Sequence, residues 1–441
     1  MAGNATVDSR HWLRQINGYQ WRVLALAWCG WTLDNTDFNL FGLVLRPALT
    51  ELLGGNPAAA DLGRVGGLLS MVGLLGWAFG GMFFGVVGDY LGRIRTLMFS
   101  VIMVAIFTAL QGLSTSTVML GVFRTLAGIG TGAEFVLGIP LVAEAFADMP
   151  RARMLGIMMT GASFGSIFGG QIYALAGPYG WRYPLFASVI PALLLLALRR
   201  GMEEPERFQD VRARRVVLKS ERSLHPDDAA FLAFAPRQLF NRQNRYATMV
   251  GVVFSLGALL GIWPSNVWLP TIQGQMLGRI GITGAHAVPL IGHGMVLFGL
   301  GGMVGQAAYG FIADVIGRRP ANVLYSVGTL VSGFVMYVLL QDYSYYPYLL
   351  PLFGFSVFGI FAGIAVYLPE LFPTHIRATA VSFCSGSGRV VTSFGPLVAG
   401  LLVAPFHGDF ALATATITGF AVLTIVAMAM GRETRDKALP R

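Results

Sequence analysis

Charge is what this sequence has least of. Asp, Glu, Lys and Arg make up 12% of its 441 residues, about half of what a soluble globular chain carries. With 55% hydrophobic residues, that deficit excludes a chain with a large water-facing surface and points to a bilayer. Cysteine is scarcer still. Cys29 and Cys384 each lie in an apolar run, which excludes a disulfide framework. The chain has no phosphate-cradling loop, no zinc-ligand spacing and no nucleophile elbow. An ATP-driven pump or membrane enzyme is therefore not indicated, and neither metal nor cofactor is expected. No small-residue cleavage site follows the first apolar run, which starts near Trp21, so it reads as a retained helix and not as a signal peptide. A single basic patch is missing as well. The net charge is +9, but Lys and Arg fall in short clusters between apolar runs, a pattern of topology signals that excludes nucleic acid as a partner.

What is present is a series of twelve apolar spans. They lie at roughly 21–47, 63–87, 95–113, 118–146, 154–177, 181–199, 245–269, 288–312, 320–340, 346–368, 379–404 and 409–430, each able to cross the hydrocarbon as a helix. The fold class read from them is all-α integral membrane, in two six-helix halves. A cytoplasmic arm (1–20) precedes the first half (21–199), a polar linker (200–244) joins it to the second (245–430), and a tail (431–441) follows. The linker carries most of the charge density and has room for a short surface helix at 227–234. Placing both termini in the cytoplasm sorts the 31 Lys and Arg. Arg46, Arg64, Arg182 and Arg279 sit at or beyond the opposite face, Arg124 and Arg389 lie inside spans, and every other one is cytoplasmic. That is the positive-inside bias.

The halves repeat. Gly85, Asp89, Gly92 and Arg93 recur at one constant offset as Gly310, Asp314, Gly317 and Arg318. Glu144 with Arg151 recurs as Glu370 with Arg377, at an offset longer by a single position. Both sets fall in cytoplasmic loops, as in two-half transporters. Pairing of these acids and bases across the seam would make a cytoplasmic gate; the alternative is plain topology signalling. The strings from Gly85 to Arg93 and from Gly310 to Arg319 resemble the signature loops of the major facilitator superfamily. The string from Pro369 through Pro373 to Arg377 is similar to the loop after helix ten in its sugar- and metabolite-carrying branches. The resemblance implies alternating access, with two halves rocking about a central cavity.

Charges inside the membrane mark candidate function, because each costs at least ~2.5–3.5 kcal/mol to insert. Asp34 lies 12 residues from both Arg22 and Arg46, hence ~18 Å from either end and near the midplane. Asp37 follows one turn later on the same face. Two carboxylates so close in low dielectric resist joint ionisation, which suits one of them to carry a proton. Either Asp could instead pair with an arginine. Arg389, near the midplane of helix eleven, offers a planar fork to a substrate carboxylate or to Asp34 or Asp37. Glu134 is a second candidate for protonation. Arg124 is read either as an ion-pair partner or as a substrate contact. Asn35, Gln171 and Gln306 suit recognition of hydroxyl or carboxylate groups, or interhelical hydrogen bonds. Trp263 and Trp268 are placed in an outer aromatic belt. The string Gly30–Phe38 resembles helix one of sialate and monocarboxylate:proton symporters, and aromatic-acid:proton symporters have a similar acidic motif there. The resemblance also supports an anion-binding Arg in helix eleven.

The expectation is a proton-coupled symporter that imports a small organic anion and works as a monomer. Its partners are that anion, protons and the lipid bilayer. The excess of Arg over Lys suits a bacterial inner membrane. The rivals are a neutral sugar or polyol carrier, a proton-driven exporter and a solute-sensing receptor.

Overall fold

The computed structural model describes residues 16–55, 57–146, 151–199, 238–372 and 376–435. The surface helix expected at 227–234 lies outside the described residues. The described chain forms twelve helical passes. In the first half these are α1 (Gly18–Leu52), α2 (Ala59–Leu91), α3 (Arg93–Gln111), α4 (Thr117–Ala145), α5 (Arg151–Ala176) and α6 (Arg182–Ala187, then Val189–Arg199). In the second they are α7 (Arg245–Arg279), α8 (Ala287–Ile316), α9 (Arg318–Phe334, then Val335–Leu339), α10 (Tyr346–Leu371), α11 (Arg377–Thr392, then Phe394–Leu402) and α12 (Phe410–Thr418 to Val422–Met430). Twelve is even, so α1 starts and α12 ends on one face, here the termini face. The chain is an all-α integral membrane protein of two six-helix halves.

Local sequence sets several of the ends. Asn17 and Gln20 form a reciprocal capping box at the start of α1, with bonds of 2.8 and 3.0 Å, and Ser116 caps α4. Eight of the passes are long and apolar enough to cross a membrane by length and composition alone. The others are α1, α5, α6 and α11. The first carries the buried polar run Asp34, Asn35, Thr36, Asp37 and Asn39, and α6 and α11 are each interrupted, at Ser188 and Ser393. A helix that brings charge to the interior loses the hydropathy that would announce it.

The repeat extends from the loops into the packing. Gly76 and Gly80 of α2 lie against the α4 carbonyls of Thr125 and Ile129, and Gly301 and Gly305 of α8 lie against the α10 carbonyls of Pro351 and Phe355. These positions are related by the same offsets as the loop motifs, so one glycine-mediated helix crossing is built twice. Large apolar side chains such as Phe79, Phe83, Phe311 and Val315 are exposed on the perimeter, where lipid covers them.

The halves meet at the middle and at the face opposite the termini. Gly42 of α1 sits on the α7 carbonyl of Asn266 (a Cβ there would come within 2.9 Å), Gly63 of α2 on Gly400 of α11, and Gly170 of α5 on Gly292 of α8.

Candidate functional site

Two buried arginines organise the centre, and they are held in different ways. Arg124 on α4 is 1% exposed. Its Nη1 donates to Asp37 Oδ2 at 2.6 Å, and Asp37 Oδ1 accepts from Thr108 Oγ1, also at 2.6 Å. Both oxygens of Asp37 are therefore engaged, by α4 and α3 of the same half. The guanidinium also lies 4.7 Å from the Phe38 ring centre and 4.2 Å from that of Phe41. A short charge-assisted bond and two π faces offset the desolvation of the pair. Arg124 is thus an ion-pair partner, and Asp37 is its acid.

Arg389 on α11 is held by rings. It is 7% exposed, with its guanidinium carbon 3.7 Å from the Phe135 ring centre of α4 and 4.3 Å from that of Trp77 of α2. Among the described residues no carboxylate bridges it, and its Nε has no hydrogen-bond partner. The pairing of Arg389 with Asp37, one of the alternatives drawn from the sequence, does not occur because Arg124 occupies that carboxylate.

The rings around Arg389 form a box built from both halves. Trp31 lies 5.4 Å from Phe135 and 6.4 Å from Phe361 of α10, nearly parallel to the latter at 12°. Trp263 of α7 lies 5.2 Å from Trp77 and 5.1 Å from Phe38, and Phe38 lies 5.5 Å from Trp77. Phe38 therefore touches the Arg124 guanidinium on one side and the Arg389 box on the other. The indole Nε1 atoms of Trp31, Trp77 and Trp263 are buried with no protein acceptor. A cation without an acid, flat apolar walls and unfilled N–H donors together suit a planar carboxylate with further oxygen atoms.

Trp263 and Trp268 correct the sequence reading. Both are buried, Trp263 in the box and Trp268 donating from Nε1 to the Pro396 carbonyl at 3.0 Å. The seventh pass runs to Arg279, ten residues past the expected end, so these indoles lie in mid-helix and not in an interfacial belt. The box as a whole escaped the sequence because aromatic residues are abundant. The available signal was depth, but only for Trp31 and Trp77, which sit near the middle of their expected spans; Trp263 stood near the end of a span drawn too short.

The remaining candidates are dispersed. Asp34 and Glu134 are buried on α1 and α4. Asn35 Nδ2 donates to the Trp31 carbonyl at 2.8 Å and packs on Gly165 of α5, so it serves helix packing. Gln306 accepts from Ser163 Oγ at 2.7 Å, a bond between α8 and α5 that ties the two halves. Gln171 is half-buried on α5.

At the termini face, Arg318 Nη1 lies 2.9 Å from Asp314 and its Nε 3.4 Å from Glu370. These bridges join α8, α9 and α10 of one half. Pairing across the seam was the expectation; Arg318 pairs within its own half. Glu433, just after α12, accepts backbone N–H from Arg318 and Arg319 at 2.9 and 3.0 Å, Thr434 bonds Glu370, and Arg432 donates to the Leu371 carbonyl. The sequence reading missed this strap. Arg93 is half-buried at the equivalent place in the first half. The side chains of Asp89, Glu144, Arg151 and Arg377 lie outside the described residues.

Residues 27–285 and 276–441 match the family model described as Major Facilitator Superfamily. The gallate transporter of Pseudomonas putida is 29% identical, over 91% of this chain and 90% of that protein. The sialic acid transporter NanX of Escherichia coli is 25% identical, over 94% and 95%. Among solved structures, the xylose transporter XylE from E. coli, in a partially occluded inward open conformation, superposes with a TM-score of 0.74 at 16% identity, over 96% of this chain and 100% of that one.

Proposed function

Because the chain belongs to the major facilitator superfamily, we propose that it is a proton-coupled symporter importing a small, planar organic carboxylate. It is a transporter and not an enzyme. In this reading both termini are cytoplasmic, in a bacterial inner membrane, and the close contacts between the halves lie toward the outer side. The observation that carries the proposal is Arg389, a buried cation clamped by Trp77 and Phe135 with no acid bridging it among the described residues. A neutral sugar does not require such a group. A carboxylate supplies the missing charge, and the flat box favours a planar body over a puckered one.

Asp34, Asp37 and Glu134 are the proton carriers of this reading. In the ionised state Asp37 holds Arg124. Protonation removes that hold, and the released guanidinium shifts against Phe38, whose other contacts are Trp77 and Trp263. The proton and the anion are thereby coupled through one packed aromatic contact. The names of relatives that carry gallate and sialic acid support an acidic substrate.

The test is ligand binding followed by indole fluorescence, since three box residues are Trp. Benzoate, 4-hydroxybenzoate, cis,cis-muconate and N-acetylneuraminate are compared with benzamide and xylose. At least one acid binds, benzamide and xylose do not, and Arg389→Gln weakens the acid ~10- to 100-fold, the scale of a charge-assisted bond. Equal affinity in Arg389→Gln, or binding of xylose alone, refutes the proposal.

A further inference from the structure

Four arginines stand at the outer face, and three of them have an acid. Arg64 pairs with Asp61 at 3.3 Å, Arg182 with Glu51 at 2.8 Å, and Arg279 with Asp409 at 3.8 Å. Arg46 has no acid partner among the described residues; its electrostatic neighbour is the Tyr173 phenol of α5. Arg46 is also drawn into the seam. Its Nη1 lies against the α7 backbone, where a Cβ on Gly274 would come within 2.7 Å. Glycine at 274 is what lets the guanidinium lie there. The side chain is thus enclosed by α1 and α5 of one half and α7 of the other, at the place that must part when the outer face opens.

An arginine is a poor choice for a mere seal. Partial burial without a counter-charge costs free energy that an apolar side chain would not. Pro47 follows at once in α1; lacking an N–H, it leaves the backbone there one hydrogen bond short and easier to bend. The site is therefore a cation on a deformable helix segment, enclosed where the two halves meet.

We propose that Arg46 is an outer carboxylate station, which takes the anion from the external medium and passes it inward to Arg389 as the outer face closes. The inference rests on the anion-import reading above. Nine residues of α1 separate Arg46 from Asp37, roughly 14 Å along the axis, so the station stands nearer the outer face than the central cluster and is met first by an anion entering from that side.

The experiment uses proteoliposomes and the best-carried acid among radiolabelled benzoate, 4-hydroxybenzoate, cis,cis-muconate and N-acetylneuraminate. Arg46→Gln is expected to raise the KM for influx from the outer side ~10-fold, the scale of one lost charge-assisted bond. KM for efflux from the inner side stays within about twofold, because the variant leaves the central site intact. Arg46→Lys recovers most of the influx affinity. Raising the ionic strength weakens influx affinity in the wild type and not in Arg46→Gln, a response that a structural role would not produce. Equal changes on both sides, or an unchanged influx KM while Arg389→Gln is dead, overturn the station and leave the central anion site standing. Carriage of none of the four acids removes the anion-import reading and the station with it.

Discussion

Asp37 is the residue whose loss should be felt most. Its carboxylate holds Arg124 and Thr108 in a fully buried cluster, so Asp37→Asn leaves a guanidinium in the membrane without its acid. Such half-removed buried pairs cost ~3–5 kcal/mol. The expected result is a clear fall in the thermal midpoint in detergent, partly restored in Asp37→Asn/Arg124→Gln. An Asp37→Asn protein as stable as wild type would contradict the geometry. The five intramembrane charges were legible in the sequence because each falls well inside a span that is otherwise almost free of charge. Their partners were not, since pairing depends on which helix faces which. Arg389 illustrates this limit: its charge could be read from its position, but its aromatic clamp comes from α2 and α4, in the other half of the chain.

Among elements, the two signature turns depend on one glycine each. Gly92 and Gly317 join α2 to α3 and α8 to α9 with φ of 106° and 101°, a region that L side chains avoid. A Cβ at Gly317 would also come within 2.9 Å of the Glu433 carboxylate that caps α9. Gly317→Ala is therefore expected to cost ~1–2 kcal/mol in backbone strain and to displace the strap. That is measurable as faster hydrogen exchange at Arg318 and Arg319. The strap itself should respond to pH. Burial raises the pKa of Glu433, but the backbone N–H groups of Arg435, Arg319, Arg318 and Thr434 outweigh it and hold the acid below its usual range. A depressed carboxylate stabilises the fold above its unfolded pKa and loses that contribution as pH falls through the folded value. Exchange at 431–435 should rise only below about pH 4, and a rise starting near neutrality would contradict this. The repeat was legible because a positive-φ glycine flanked by Asp and Arg has few substitutes. The strap was not, because Glu433 looks like any tail acid until the chain folds back. The end of α7 was misplaced because Pro264, Pro270 and polar groups punctuate a helix that neighbouring helices nonetheless support.

At the scale of the whole molecule, the close glycine contacts between the halves, Gly42 on Asn266, Gly63 on Gly400 and Gly170 on Gly292, lie at the middle and at the face opposite the termini, as one limb of an alternating-access cycle would have them. The closed face depends on glycine-to-backbone contacts such as Gly63 on Gly400. Gly63→Leu should prevent that closure and hold the protein open outward. External ligand would then still bind while transport falls to background; full transport in this variant would contradict the closure described. The twelve-pass, two-half plan was readable from hydropathy, charge bias and repeat together. Where the two halves touch was not, because that depends on which glycines of separate helices come into contact.

The proposed transport cycle moves protons and a carboxylate together. The direct measurement is external pH around proteoliposomes after addition of the four acids and then xylose. Alkalinisation outside is expected with at least one acid, none with xylose, and none with that acid in Asp34→Asn/Asp37→Asn or Arg389→Gln protein. Uptake of labelled xylose without any proton movement, or acid uptake at wild-type rate with no pH change, would contradict it.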